Sequence, residues 1–117
     1  MSLSKVKTRD YPPFKKLGRN VIKNINANYT FSAEDVGKIL VVNGAYTLTI
    51  GAGFLPGVGC QIDIIAQGGV VVVTSVGGPT LNSSVATTTF SISPQFGVAS
   101  LIQSTETSWL GTGNLIP

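Results

Sequence analysis

Residues 60–75 read CQIDIIAQGGVVVVTS and decide the fold. In the first half of this stretch apolar and polar residues alternate, so Ile62 and Ile64 lie on one side of a strand. Gln61 and Asp63 lie on the opposite side, where water can reach them. Two glycines then interrupt the pattern before a valine-rich run that is typical of a second strand. The stretch therefore predicts short β-strands separated by glycine turns.

The same pattern extends outward over the chain from about residue 28. Eight strands are predicted, at residues 28–31, 38–43, 45–50, 60–67, 70–75, 87–93, 96–103 and 107–111. One helical turn is predicted at residues 32–37, where Ser32 can cap the start and Gly37 can end it. Many short strands with little helix favour an all-β fold over alternating strands and helices. We predict a jelly-roll-like β-sandwich.

Two of the predicted strands, 39–42 and 70–73, are apolar on both faces. A two-layer sandwich covers only one face of each sheet, so the second face of each run needs another cover. We expect that cover to be another copy of the chain, which predicts a homo-oligomer. The alternative is that closure of the sheet hides both runs within one subunit. The candidate interface residues are Leu40, Val42, Val70, Val71, Val72, Val73 and Trp109.

Charge is distributed unevenly along the chain. Of the 117 residues, 43% are hydrophobic and only 11% are charged, against about 25% in an average soluble domain. Seven of the eight basic residues lie in the first 23 positions, and no Lys or Arg follows Lys38. Pro12 and Pro13 favour an extended path through this basic segment. We therefore divide the chain into an extended basic N-terminal arm, residues 1–28, and a β-sandwich domain, residues 29–117.

The residue inventory excludes several classes of chemistry. The chain has no His and a single Cys, so Ser-His-Asp and Cys-His catalysis cannot be assembled in one subunit, nor can a Cys- and His-based zinc site. The glycine-rich loop 51–59 joins two predicted strands and lacks the Lys of a phosphate loop, so it is interpreted as a turn. We predict no catalytic, metal or cofactor site, no small-molecule substrate, and hence no enzyme. No apolar run reaches the about 20 residues that would span a bilayer, and we expect synthesis in the cytoplasm without export.

The basic arm is the remaining candidate for function. Its cations are interleaved with two aromatic side chains and could neutralise phosphates or lie along an acidic protein surface. A protein surface is favoured over nucleic acid, because the nearly uncharged body offers no second site for a polyanion. The candidate partner-binding residues are Lys5, Lys7, Arg9, Tyr11, Phe14, Lys15, Lys16, Arg19 and Lys23.

The body also resembles a known kind of domain. The resemblance covers about residues 29–115 and is carried, in order, by 31–43 (FSAEDVGKILVVN), 48–50 (LTI), 55–57 (LPG), 62–64 (IDI), 80–83 (TLNS), 95–102 (QFGVASLI) and 107–113 (TSWLGTG). Together these pieces look like a β domain found in structural proteins of tailed bacteriophages. Such domains occur in head decoration (cement) proteins, head fibres and tail fibres, commonly as trimers.

The resemblance implies a protein of the virion. The expected function is capsid decoration: a homotrimer that binds the major capsid protein on the capsid exterior and stabilises the shell. In that interpretation the basic arm attaches the protein or interlocks subunits. The alternatives are a tail-fibre, baseplate or head-fibre module and, from a separate class, a nucleic-acid-binding protein that uses the arm.

Overall fold

The computed structural model of the chain describes residues 21–85 and 88–117. These residues form two mixed β-sheets and one 3₁₀ turn, Ala33–Asp35, so the predicted all-β class is confirmed. Sheet A has the strand order β1-β3-β5-β9-β10-β7, and sheet B has the order β11-β8-β6-β4-β2. The strands are β1 (Ile22–Ile25), β2 (Tyr29–Thr30), β3 (Ile39–Val42), β4 (Thr47–Ile50), β5 (Gln61–Ala66), β6 (Val71–Ser75), β7 (Thr80–Ser83), β8 (Thr89–Ile92), β9 (Gly97–Thr105), β10 (Ser108–Gly113) and β11 (Leu115–Ile116).

The first six strands alternate between the two sheets. The odd-numbered strands β1, β3 and β5 pair in parallel in sheet A, and β2, β4 and β6 pair in parallel in sheet B. Parallel neighbours need a crossover, which is usually a helix; here a strand of the opposite sheet supplies it. The chain therefore winds around the core as three stacked coils, and β9 closes onto β5 in antiparallel orientation.

A ladder of side-chain amides marks where each coil leaves sheet A. Gln67 Nε2 donates to Asn43 Oδ1 at 3.1 Å, and Asn43 Nδ2 donates to Asn26 Oδ1 at 3.1 Å. The coils approach closely here, because a Cβ added to Gly68 would lie 2.8 Å from the backbone carbonyl carbon of Asn43. The glycine pair of the opening stretch is thus required by contact between successive coils.

The mixed pairing departs from the jelly-roll expectation. Among the described residues five strand pairs are parallel and four are antiparallel, whereas jelly rolls are antiparallel. The two-layer part of the expectation holds, and the jelly-roll topology is not confirmed. Four of the five parallel pairs lie in the three coils, and the fifth joins β7 to β10. Local sequence patterns specify these strands without specifying their partners.

The core lies between the two sheets. Leu40, Ile62 and Ile64 of sheet A face Leu48 and Phe90 of sheet B, and all five are essentially inaccessible to water. The alternation predicted for β5 and for residues 46–50 is therefore confirmed. At about 25 cal/mol per Å² of apolar surface removed from water, this core is the main source of stability.

The sandwich begins before the predicted boundary at residue 28. β1 pairs with β3 over its full length, and Ile25 is 3% exposed. The segment IKNI carries only weak strand character on its own, and pairing with β3 supplies the partner it needs. Lys5, Lys7, Arg9, Tyr11, Phe14, Lys15, Lys16 and Arg19 lie outside the described residues.

Candidate functional site

Lys23, the one predicted arm residue that is described, is held inside the chain. Its Nζ donates to Tyr29 Oη at 2.7 Å and lies 3.3 Å from Asp35 Oδ1. Tyr29 Oη in turn donates to Asp35 Oδ2 at 2.8 Å, and the Ser32 backbone N–H donates to the same oxygen at 2.8 Å. The Asp35 side chain has no exposed surface. We call Lys23, Tyr29 and Asp35 the latch, because together they fasten β1 to the 3₁₀ turn.

The latch gives Lys23 a role different from the one its sequence position suggests. The hydrogen bond to Tyr29, followed by the hydrogen bond and charge of Asp35, raises the pKa of the Lys23 ammonium well above its ordinary range against the opposing effect of desolvation. Glu34 adds a longer contact, with its Oε2 3.6 Å from Lys23 Nζ. Lys23 therefore serves the body and was wrongly grouped with the cations of the arm.

Trp109 anchors a column of aromatic rings. Its ring stacks on Phe54 at a centroid distance of 5.5 Å, and Phe54 stacks on Phe31 at 6.5 Å. The indole Nε1 donates to the Phe54 carbonyl oxygen at 3.0 Å. Trp109 is fully buried and fully hydrogen-bonded, so it is a core residue rather than part of an interface.

The glycine-rich loop 51–59 is fastened by one buried side chain. Gln103, 2% exposed, accepts from the Gly57 N–H through Oε1 at 2.7 Å, and its Nε2 donates to the Thr105 carbonyl at 3.0 Å. The Gly59 N–H donates to the Gln103 backbone carbonyl at 2.8 Å. These bonds use two of the loop's N–H groups, those of Gly57 and Gly59, within the chain.

Most of the predicted interface residues lie in the core of a single subunit. Val70 is 37% exposed and Val72 is half-buried on the outward face of β6. The other five have no exposed surface: Leu40, Val42, Val71, Val73 and Trp109. They cannot contact a second copy, because the opposite sheet already covers them. For these five the alternative of burial within one subunit is correct.

The outward face of sheet A carries aliphatic side chains that the sequence prediction did not select. The cross-strand register places Ile22 beside Ile39, Val41 beside Ile65, and Ile65 beside Val98. We call these five side chains the aliphatic strip. Ile22 and Val98 are 58% and 44% exposed, and the other three are half-buried. The strip runs over β1, β3, β5 and β9, and two polar residues share its rows, Asn24 beside Val41 and Asp63 beside Ile39.

A polar group borders the strip. Asp63 lies beside Ile39 and Ser100 in the register, and its Oδ1 accepts from Ser100 Oγ at 2.7 Å and from Gln61 Nε2 at 3.0 Å. The prediction that Asp63 shares the outward face with Gln61 is confirmed. Beyond this group, Ile102 and Leu110 form a second, smaller aliphatic pair.

The outward face of sheet B carries mainly hydroxyl groups. One row joins Thr30, Thr49, Thr74 and Thr89, and the next joins Thr47, Val72, Ser91 and Ile116. Thr74 Oγ1 lies 2.8 Å from Thr89 Oγ1, and it also donates to the Thr88 carbonyl at 3.3 Å. We call the Thr and Ser residues of these two rows the hydroxyl face. This face can be hydrated where the aliphatic strip cannot.

Metal sites and membrane-spanning helices are absent from the part of the chain that the structure describes. Residues 21–85 and 88–117 contain no group of three or more His, Cys, Asp or Glu side chains placed to hold a metal ion. In the same ranges no helix is long and apolar enough to cross a membrane. Comparison of the chain with family models, curated proteins and solved structures gives no match. The aliphatic strip and the basic arm are therefore the candidate sites.

Proposed function

We propose that the protein is a head decoration protein of a tailed bacteriophage, which binds the outer capsid surface as a homotrimer and stabilises the shell. The aliphatic strip supports the proposal, because it gives the body an exposed aliphatic surface that a partner subunit can cover. The resemblance of residues 29–115 to a domain of bacteriophage structural proteins supports the capsid as the proposed location. We also propose that the body is a trimeric variant of a jelly roll, in which the first six strands pair in parallel.

The arm supplies the attachment to the major capsid protein. Residues 1–20 hold six cations and one acid, Asp10, which gives a net charge of +5. These 20 residues, the part of the predicted arm before β1, lead into that strand, and the latch fixes β1 at the edge of sheet A. A chain of 20 residues can span at most about 70 Å, so the arm can reach beyond its own subunit.

Binding, without catalysis, accounts for the proposed effect on the shell. Three arms on one trimer raise each other's effective concentration at the capsid, so contacts that are weak singly hold the trimer firmly. A ligand that binds only the assembled shell stabilises it against disassembly by mass action. Neither step requires a catalytic group.

Neutralising the arm in the full-length protein tests the proposal. In one variant all six cations of residues 1–20 become Gln; the control is Lys38→Gln, the only basic residue of the body besides the latch lysine. Both are sedimented with empty capsids assembled from the major capsid protein of the same genome. We expect the arm variant to lose capsid binding and the control to keep it.

Two results would contradict this function. Capsid binding that survives neutralisation of the arm would show that the arm does not attach the protein to the capsid. Binding of duplex DNA at physiological salt, with a salt dependence that disappears in the arm variant, would instead favour a nucleic-acid-binding protein. Immunogold labelling of purified particles distinguishes a capsid protein from a tail protein. Label on the tail would indicate a fibre or baseplate module.

A further inference from the structure

The aliphatic strip is an outward sheet face that no second layer of the described residues, 21–85 and 88–117, covers. The opposite sheet covers the inward side chains of sheet A, and the strip lies on the other side of the same strands. Its members are neighbours across four adjacent strands, where opposing Cβ atoms lie about 5 Å apart. They therefore form one continuous apolar surface and are not single exposed residues of the kind found on any protein.

We propose that the aliphatic strip is the surface through which copies of this chain associate, with the strips of neighbouring subunits packed against one another around a common axis. This inference rests on the homotrimer of the proposed function and assigns its interface. The occupant of the strip is thus a second copy of the chain, and the capsid is contacted by other parts of the molecule.

Charge favours a second copy over a partner of different chemistry. The strip has no charged member, so identical strips can face each other without repulsion. A single carboxylate, Asp63, borders it and already accepts hydrogen bonds from Ser100 and Gln61. Asp63 lies between the strip and the Ile102–Leu110 pair, and its two hydrogen bonds keep the carboxylate paired when the face is covered. A partner recognised through charge would have little on this face to bind.

The area of the face suits a subunit interface. Six strands at about 4.8 Å spacing give a width of about 29 Å, and the five residues of Gln61 to Ile65 give a length of about 17 Å. The footprint is therefore about 490 Å². This footprint belongs to the whole outward face of sheet A, of which the strip crosses four strands. An interface of about 800 Å² per partner would therefore include the Asp63 group and the Ile102–Leu110 pair as well as the strip.

Charged substitutions at matched positions of the two sheets test the assignment in the full-length protein. Val41 and Thr49 both face outward, half-buried, from the second strand of their sheets, β3 and β4. Ile65 and Thr74 both face outward from the third strand. The variants are Val41→Lys and Ile65→Lys, the controls are Thr49→Lys and Thr74→Lys, and sedimentation velocity measures the mass.

We expect the wild-type protein and both controls to sediment as oligomers of the 12.1 kDa chain. The strip variants should sediment as monomers, with self-association weakened about 100-fold or more, because a lysine would be desolvated in the interface. Val41→Thr, which keeps the β-branched shape, should weaken association less. Circular dichroism of every variant shows whether the β fold is retained.

Several results overturn the inference. A monomeric wild-type protein at micromolar concentration would exclude the interface, and so would a strip variant that folds and keeps the oligomeric mass. A strip variant that keeps its mass and loses capsid binding would show that the capsid covers the strip. In that last case capsid decoration stands while the interface fails. Loss of mass with retained arm-dependent capsid binding supports the interface separately from the attachment.

Discussion

The outward faces of sheets A and B differ at positions that are otherwise equivalent. Val41 and Thr49 are both β-branched, both half-buried, and each lies one strand in from the edge of its sheet. Val41 lies between Asn24 and Ile65 in the register, with Ile39 two residues before it on the same strand. Thr49 lies between Thr30 and Thr74, which both bear hydroxyl groups. Both residue types favour strands, so the requirement for a β-strand does not explain the difference. The interface proposed above accounts for the difference, with an apolar cover on sheet A and water on sheet B.

The inward faces show no such difference. Leu40 beside Val41 and Leu48 beside Thr49 are both fully buried in the same core. The two sheets thus share one interior and present different exteriors. The comparison depends on which residues point inward, and substitutions can test that directly.

The largest effect is expected from an inward residue. Leu40→Ala should lower the free energy of unfolding by about 2–5 kcal/mol, because it removes buried methyl groups and leaves a cavity between the sheets. Urea denaturation measures the loss. The matched outward change, Val41→Ala, should cost much less in a monomeric state. Equal losses for the two would mean that the inward and outward sides of β3 are assigned wrongly.

The next effect concerns β1, where neighbouring residues also face opposite ways. Ile22 belongs to the aliphatic strip, and Lys23 belongs to the latch. Lys23→Met should lower the free energy of unfolding by about 1–3 kcal/mol, because Asp35 loses its charged partner while remaining buried. Ile22→Thr is the control, and it should leave the stability of the subunit nearly unchanged.

The pH dependence of the Lys23→Met effect follows from the raised pKa. A base whose pKa is higher in the folded state than in the unfolded state contributes its full stability below the unfolded value, which is about 10.5. The contribution is lost only as the pH rises above that value. The difference between wild type and Lys23→Met should therefore stay constant between about pH 6 and 9. A difference that declines within this window would contradict the latch.

Sequence patterns predicted where the strands lie better than which side of each strand faces the core. Thr47 and Thr49 alternate with apolar residues, so the inward side of β4 could be identified. In the run 39–42 every residue is apolar, and no polar neighbour tells Leu40 from Val41. That ambiguity is why the predicted interface contained Leu40 and omitted Val41. Only the pairing of β3 between β1 and β5 decides the orientation.

The site and the topology depend on contacts between residues that are distant in the sequence, and local patterns could not predict these contacts. The sequence analysis missed three strands, β1, β7 and β11, because short segments such as Leu115–Ile116 depend on a neighbouring strand for their conformation. Lys23 was grouped with the arm because its neighbours in sequence are basic, whereas its contacts, Tyr29 and Asp35, lie 6 and 12 residues away. Ser32 could be predicted as the cap from its local sequence, whereas the capping contact of Asp35 and the lysine that pairs with Asp35 could not.

Exchanging the chemistry of the two faces sharpens the comparison. Val41→Thr combined with Ile65→Thr gives sheet A the character of sheet B and should weaken self-association about tenfold or more, since each apolar side chain that is lost reduces the buried surface. Thr49→Val combined with Thr74→Val leaves association through the aliphatic strip intact. Sedimentation equilibrium measures both. Weakened association in the sheet B variant would place the interface on the hydroxyl face.

The smallest effect is expected on the hydroxyl face itself. Thr89→Val removes one side of the 2.8 Å hydroxyl pair with Thr74, at a position where water can replace the lost partner. Cross-strand pairs of this kind contribute about 0.2–1 kcal/mol to the free energy of unfolding. Valine favours strands, so the substitution offsets part of this loss. Thermal unfolding should show a shift near the limit of detection, and the oligomeric mass should stay the same. Because the hydroxyl pair is solvated, its removal costs little, whereas a hydroxyl placed in the aliphatic strip would lose its water on association. A large loss of stability in Thr89→Val would mean that the hydroxyl face is also covered.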